Sequence, residues 1–188
     1  GAALTPQELR YARRPGAFAD LCYGLARENQ TRWTDWRLFN DAEIARMKEV
    51  EFSSELILLL RDGVAKTGRK EVDDAYEDYA DSVPNATSLV ERFSVVMKRL
   101  DDVLALPSSP DPIRAFRSRG WFYALFAWTD LHWGSSLDLQ QILPSVAQRI
   151  DRDRKSNPEL VRAISGSASD KASRDARLKY LSEAIERV

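Results

Sequence analysis

NDAEIARMKEVEFSSELILLLRDG, residues 40–63, is the stretch whose reading decides the fold. Ile44, Met47, Phe52, Leu56, Leu59 and Leu60 recur at helical spacing and form one broad apolar face, with Asn40 or Asp41 as the cap and Gly63 as the stop. From Leu56 to Leu60 the chain is apolar on every side. A helix at a protein surface needs one apolar stripe; a helix apolar all round has to be enclosed by other elements. The stretch therefore predicts a central helix, and the rest of the chain has to cover it.

Working outward, Thr5-Pro6-Gln7-Glu8 carries a helix start, with Thr as cap, Pro in the first turn and Glu8 placed for a capping box. That helix is expected to reach Arg13 before Pro15-Gly16 interrupts it. Phe18, Leu21, Cys22 and Leu25 stripe a second helix that fades near Asn29, and Trp33, Trp36, Leu38 and Phe39 follow without periodicity, as a connector pinned onto the core. Beyond Gly63, Val72, Tyr76 and Tyr79 share one face of an acidic helix closing at Pro84. Leu89, Phe93, Val96, Leu100, Val103 and Leu104 stripe a long helix over 85–106.

Pro107, Ser108, Ser109, Pro110 and Pro112 cannot sit in a helix interior and mark the candidate boundary. After it come the aromatic segment from Ile113 to Gly134, a helix striped by Leu139, Leu143, Val146 and Ile150 with Pro144 as a kink or break, a short helix opening at Asn157-Pro158, a small-residue loop from Ser165 to Ser169, and a terminal helix striped by Leu178, Leu181, Ile185 and Val188. No β-hairpin, βαβ pattern or solenoid repeat is evident. The expectation is an all-α, irregular multi-helix bundle of about eight to ten helices. It divides into an N-terminal helical subdomain (1–106), a Pro-rich linker (107–112) and a C-terminal helical subdomain (113–188).

Composition narrows the function classes. With 188 residues, 44% of them hydrophobic, the chain can bury a sizeable core. Its 28 Lys and Arg against 29 Asp and Glu leave a formal charge of -1, so nucleic acid has to be met by a local patch. The single cysteine, Cys22, excludes an internal disulfide framework, and between Leu21 and Tyr23 it reads as a small buried hydrophobe. No apolar run approaches the roughly 20 residues that span a bilayer, and no signal-peptide pattern opens the chain. A cytoplasmic protein without a membrane partner is expected. The chain opens Gly1-Ala2-Ala3 rather than with Met, as an excised piece of a longer polypeptide or an expression scar would, so chemistry-bearing residues are expected upstream.

No catalytic or metal set stands out. His132, the only imidazole, reads as a packed or capping residue near a helix C-terminus. Asp73, Asp74, Glu77, Asp78 and Asp81 could hold a hard cation but read more simply as a solvated face. Glu51 and Glu55, four residues apart on the apolar-rich helix, could act as acid and base; an ion-pair network with Arg46 or another basic group is the simpler reading. The P-loop, dinucleotide and zinc-protease motifs are missing, and no cofactor or metal is expected. Basic clusters at Arg10, Arg13 and Arg14, at Arg32 and Arg37 among tryptophans, at Arg114, Arg117 and Arg119, and at Arg149, Arg152, Arg154 and Lys155 could clamp phosphates.

Three segments carry a family resemblance. Leu4-Thr5-Pro6-Gln7-Glu8-Leu9-Arg10, followed by Gly16-Ala17-Phe18 and Leu21 to Ala26, resembles the Leu-Asn-x-Gln-Glu-Leu-Arg segment and helix that follow the ParB/sulfiredoxin-like core of GmrSD-type restriction proteins. Phe39 through Leu56 is similar to that family's next helix. Phe116 to Phe126, with a terminal helix containing Arg174 and Arg177, is similar to its closing parts. The family's core carries an Asp-Gly-Gln-Gln-Arg motif, associated with nucleotide hydrolysis and needed for DNA restriction, that does not occur here, and Thr5 replaces the usual Asn. The resemblance thus implies a non-catalytic helical domain of a restriction or antiviral-defence protein, coupling its own upstream catalytic domain to DNA or a protein partner.

On that view Gln7, Glu8 and Arg10 form the seam to the core, and Arg13, Arg14, Arg32, Arg37, Arg114 and Arg117 are the DNA-binding candidates, with the aromatic segment from Trp121 to Trp133 as a further contact surface. The alternative is a free-standing protein-interaction or oligomerisation module acting as a homo-oligomer.

Overall fold

The structure, a computed structural model, describes residues 3–65, 68–104 and 111–188, with the backbone alone at residue 69. The described residues form eleven α-helices and one 3-10 turn, with no strand. They fall into two compact units, one of residues 1–63 with 67–93, the other of residues 94–188 with 64–66.

In the first unit Thr5 and Glu8 close the expected capping box on α1 (Pro6–Arg13). Helix α2 (Ala17–Glu28) starts at Gly16, where a Cβ would stand 2.4 Å from the Ala80 carbonyl oxygen. That oxygen accepts the Ala17 backbone N–H at 2.7 Å, so glycine permits the close docking of α2 on the turn after α6 (Arg69–Asp78). The tryptophan stretch, expected as an irregular connector, contains a short helix, α3 (Gln30–Asp35). Trp33 is fully enclosed, with its indole N–H donating to the Ala26 carbonyl at 3.1 Å and its ring edge-on to Trp36, Phe39 and Phe52. Each such pair contributes about 0.5–1.5 kcal/mol beyond the area it buries.

The stretch 40–63 forms two helices where one was expected. Asn40 caps α4 (Asp41–Ile44) in a capping box with Glu43, the chain then breaks, and α5 runs from Lys48 to Asp62. Tertiary contacts meet at the break. Thr5 donates its hydroxyl to the Arg46 carbonyl at 3.3 Å, and the Arg46 guanidinium binds the Ala3 carbonyl and, at 3.2 Å, the Glu8 carboxylate. Met47 turns left-handed at φ +55° before α5 resumes. As expected, Leu56 to Leu60 are all buried.

Helix α7 (Ala86–Asp101) belongs to both units, which divide between Phe93 and Ser94. The sequence placed the boundary at 107–112; of those residues, 107–110 lie outside the described residues, as do 105 and 106 at the expected end of this helix. A division inside a continuous helix carries no proline or glycine to announce it.

The second unit is built on α8 (Arg119–Leu131), whose residues from Trp121 to Thr129 are buried without exception. This corrects the expectation of a contact surface there: the aromatic segment is core, and exposure returns at Leu131, His132 and Trp133. Preceding it, the 3-10 turn Arg114–Arg117 buries Phe116. Helix α9 (Leu139–Ser156) passes through Pro144 without a break, α10 (Pro158–Ile164) is capped by Asn157, and α11 (Lys171–Glu186) by Asp170. Helix α11 packs chiefly on α8 and also touches α9 and α10. No helix among the described residues is long and apolar enough to cross a membrane.

Candidate functional site

The buried face of α11 has Leu181, Ala184 and Ile185 in its second half, but its first half turns Arg174 and Arg177 inward. Arg174, 1% exposed, lies 3.9 Å above the Tyr123 ring and donates to the carbonyls of Ala168, at 2.8 Å, and Ala65, at 3.1 Å. Arg177, 7% exposed, donates to the carbonyls of Ser173 at 3.3 Å and Ile164 at 2.9 Å. Gly120 on α8 makes the room: a Cβ there would lie 3.1 Å from Arg177 Cζ and Nε. Neutral carbonyls accept two of the Arg177 N–H groups, and Arg177 forms no ion pair among the described residues. Burial, then the positive charges of Arg174 and Arg154, lower its pKa, with Asp170 opposing.

Arg177 lines a cavity of about 490 Å³ together with Arg119, Gly120, Trp121, Arg154 and Ser165. Among the described residues no carboxylate lines it. Arg154 is exposed and makes no ion pair among the described residues, and the Ser165 hydroxyl is occupied with the Arg162 carbonyl at 2.8 Å. The cavity's described lining brings three guanidinium groups, the chemistry of anion recognition, to a volume within the range of small-ligand sites, roughly 300–1,000 Å³.

The first unit contains a second polar assembly, of opposite character. Arg10, 3% exposed, donates from Nε to Asp73 at 2.5 Å and from Nη1 to Glu51 at 3.1 Å and Gln7 Oε1 at 3.0 Å. Held that way, the Gln7 amide donates from Nε2 to the Tyr76 hydroxyl at 2.7 Å, which meets Ser54 at 3.1 Å, and Ser54 donates to the Val50 carbonyl at 2.9 Å. Ser54 also reaches Cys22, whose thiol is pushed up to about 12 by burial. The network ties α1 to α5 and α6, and its charges are internally matched. Glu51 takes a further cation, Lys48, at 3.2 Å, so the carboxylate considered as an acid or base sits between two positive groups.

Gln7 and Arg10 are buried in this network, and Glu8 is committed to the Thr5 cap and Arg46. Of the DNA-binding candidates, Arg13 and Arg37 are exposed in the first unit and Arg114 in the second. Arg14 pairs with Glu77 and donates to the Asp73 carbonyl at 2.7 Å, Arg32 donates to Asn29 Oδ1 at 2.7 Å, and Arg117 pairs with Asp111, both largely buried. None of the six lines the arginine-walled cavity. The acidic run on α6 is spread over cations, Asp73 on Arg10, Asp74 on Lys70 and Glu77 on Arg14. No metal-holding group of three such side chains occurs among the described residues. His132 caps α8, stacks on Trp128 at 4.3 Å and has Nδ1 2.8 Å from the Trp128 carbonyl.

Arg177 entered the sequence reading through a resemblance alone, although a signal existed: Arg174, Arg177, Leu181 and Ile185 fall at one helical spacing, so two arginines share the apolar face. No family model, curated protein or solved structure matches the chain, so its function is argued from this geometry.

Proposed function

We propose that the chain is a non-catalytic helical binding module whose second unit holds a phosphate group of DNA in the arginine-walled cavity. The observation that carries the reading is a cavity lined by Arg119, Arg154 and Arg177 and, among the described residues, by no carboxylate. A phosphate would supply the negative charge that Arg177 lacks, accept hydrogen bonds from planar guanidinium forks, and draw on Arg154 at the protein surface. The resemblance to the domain that follows the core of GmrSD-type proteins supports the setting: a defence protein in which an upstream catalytic domain acts and this domain holds the DNA.

The test is a fluorescence-anisotropy titration with duplex and single-stranded DNA across a salt series, for the native chain and Arg154→Glu. The expected affinity falls linearly in log–log form with salt, and the substitution weakens binding about tenfold and lowers the slope by about one. No binding at low salt, or an Arg154→Glu chain that binds as the native one does, overturns the reading. A dimer indifferent to DNA would favour the oligomerisation module instead.

A further inference from the structure

The first unit contains a cavity of about 350 Å³ where α1, α2, α4 and α5 meet, lined among others by Tyr11, Tyr23, Arg27, Ile44, Met47 and Glu49. Glu49, in the first turn of α5, is 8% exposed, and its Oε2 is enclosed without a hydrogen-bond donor. It has no cation among the described residues. Its neighbours differ: Glu51 has Arg10 and Lys48, Glu8 has Arg46, and Asp73 has Arg10. A buried carboxylate without a cation is costly, and burial, opposed by a hydrogen bond from Glu49's own backbone N–H, pushes the Glu49 carboxyl up from its ordinary value.

The walls indicate what would complete it. The Tyr11 and Tyr23 rings lie 5.0 Å apart, tilted by 31°, and both residues are exposed, so part of each ring is open to a ligand. Ile44 and Met47 add apolar surface, and Met47 holds a left-handed backbone, φ +55°, that a non-glycine residue adopts only at a cost. One carboxylate is too few for a hard metal ion, which takes six or more oxygens. A carboxylate beside aromatic faces and aliphatic carbon suits an organic cation.

We infer that the first unit binds an alkylammonium group in this cavity, with the Glu49 carboxylate accepting an ammonium N–H, the tyrosine rings facing the charge, and Ile44 and Met47 packing on the alkyl stem. The site is independent of the arginine-walled cavity and of the DNA reading. Arg27 opposes the ligand by like charge, which provides a control.

The experiment is a titration of the native chain with n-butylammonium, followed by amide chemical shifts, alongside the neutral n-butanol. Saturable shifts at Tyr11, Tyr23 and the first turn of α5 are expected with the amine and not with the alcohol. Glu49→Gln, which keeps the side chain's shape, weakens binding at least about tenfold, the worth of a charge-assisted hydrogen bond. Arg27→Ala tightens it. Equal shifts with n-butanol, or unchanged amine binding by Glu49→Gln with its native amide spectrum retained, overturn the proposal. Spermidine and acetyl-lysine amide then distinguish the two sources of an alkylammonium group: tighter binding of the first identifies a free polyamine, of the second a lysine side chain, and either is a form of the expected result.

Discussion

Arg10 and Arg177 are both almost fully enclosed, at 3% and 7% exposure, and both sit on helices. They differ in what meets the guanidinium. Arg10 faces two carboxylates and an amide oxygen, and Asp73 and Glu51 hold it from α6 and α5. Arg177 faces two backbone carbonyls, with Arg174 and Arg154 as electrostatic neighbours and Asp170 as the opposing charge. The first arrangement closes on itself and functions as a strut between helices. The second leaves a positive charge at a cavity wall, which a fold has no structural reason to keep when an apolar side chain would fill the space. Arg10 is paired by carboxylates, whereas Arg177 is held by neutral carbonyls, and the proposed phosphate would meet it there.

The sharpest way to break this comparison is to replace both arginines by methionine. Arg10→Met leaves Asp73, Glu51 and the Gln7 amide oxygen without their donor. A loss of about 3 kcal/mol is expected in urea unfolding, at the low end for a broken buried pair because both carboxylates are partly exposed. Arg177→Met removes a charge that forms no ion pair among the described residues and frees two carbonyls, a net cost of about 1 kcal/mol or less. Its DNA affinity is nevertheless expected to fall at least about tenfold. Equal stability losses would show that Arg177 is a strut like Arg10.

The two regions were also unequally legible. The apolar run from Leu56 to Leu60 and the Thr5 cap come from short-range pattern, and both stand in the structure as read. The break at Met47 does not: the contact that meets it, from Thr5 to the Arg46 carbonyl, comes from 41 residues away and leaves no mark in the local pattern. Trp121 to Trp133 was read as a surface because aromatics beside arginines suit nucleic acid, whereas burial along α8 depends on α11 covering it, a pairing that no local pattern encodes. The cavity was the least legible feature. It needs Gly120 on one helix, Arg177 on another and Ser165 after a third, and in the sequence each is an ordinary residue of its segment.

Gly120→Ala sharpens the comparison with a smaller effect. The added Cβ would meet Arg177 Cζ and Nε at 3.1 Å, so the guanidinium has to shift by a few tenths of an ångström. In a helix, alanine gains up to about 1 kcal/mol over glycine, which offsets the crowding, and little net change in stability is expected. DNA binding is expected to weaken by about threefold as the guanidinium leaves its place. A stability loss with unchanged binding would assign Gly120 to packing alone.

The smallest expected effect compares Glu8 with Glu49, two carboxylates of the first unit driven in opposite directions. The Thr5 backbone N–H, foremost, holds the Glu8 carboxyl below its ordinary value of 4.5, so its contribution to stability is present above that value and is lost as the pH falls through the lowered one. Burial raises the Glu49 carboxyl above the same 4.5, so the folded state binds its proton more tightly than the unfolded chain does. Stability from Glu49 is then greatest at low pH and declines as the pH rises from that value through the raised one. Glu49→Gln cannot ionise. Relative to the native chain it is expected to be equal or slightly less stable at acid pH and more stable at neutral pH, while Glu8→Gln gives the reverse ordering. Urea transitions at several pH values separate the two, and saturating n-butylammonium is expected to remove most of the Glu49 difference at neutral pH, because the ligand supplies the charge that burial withholds.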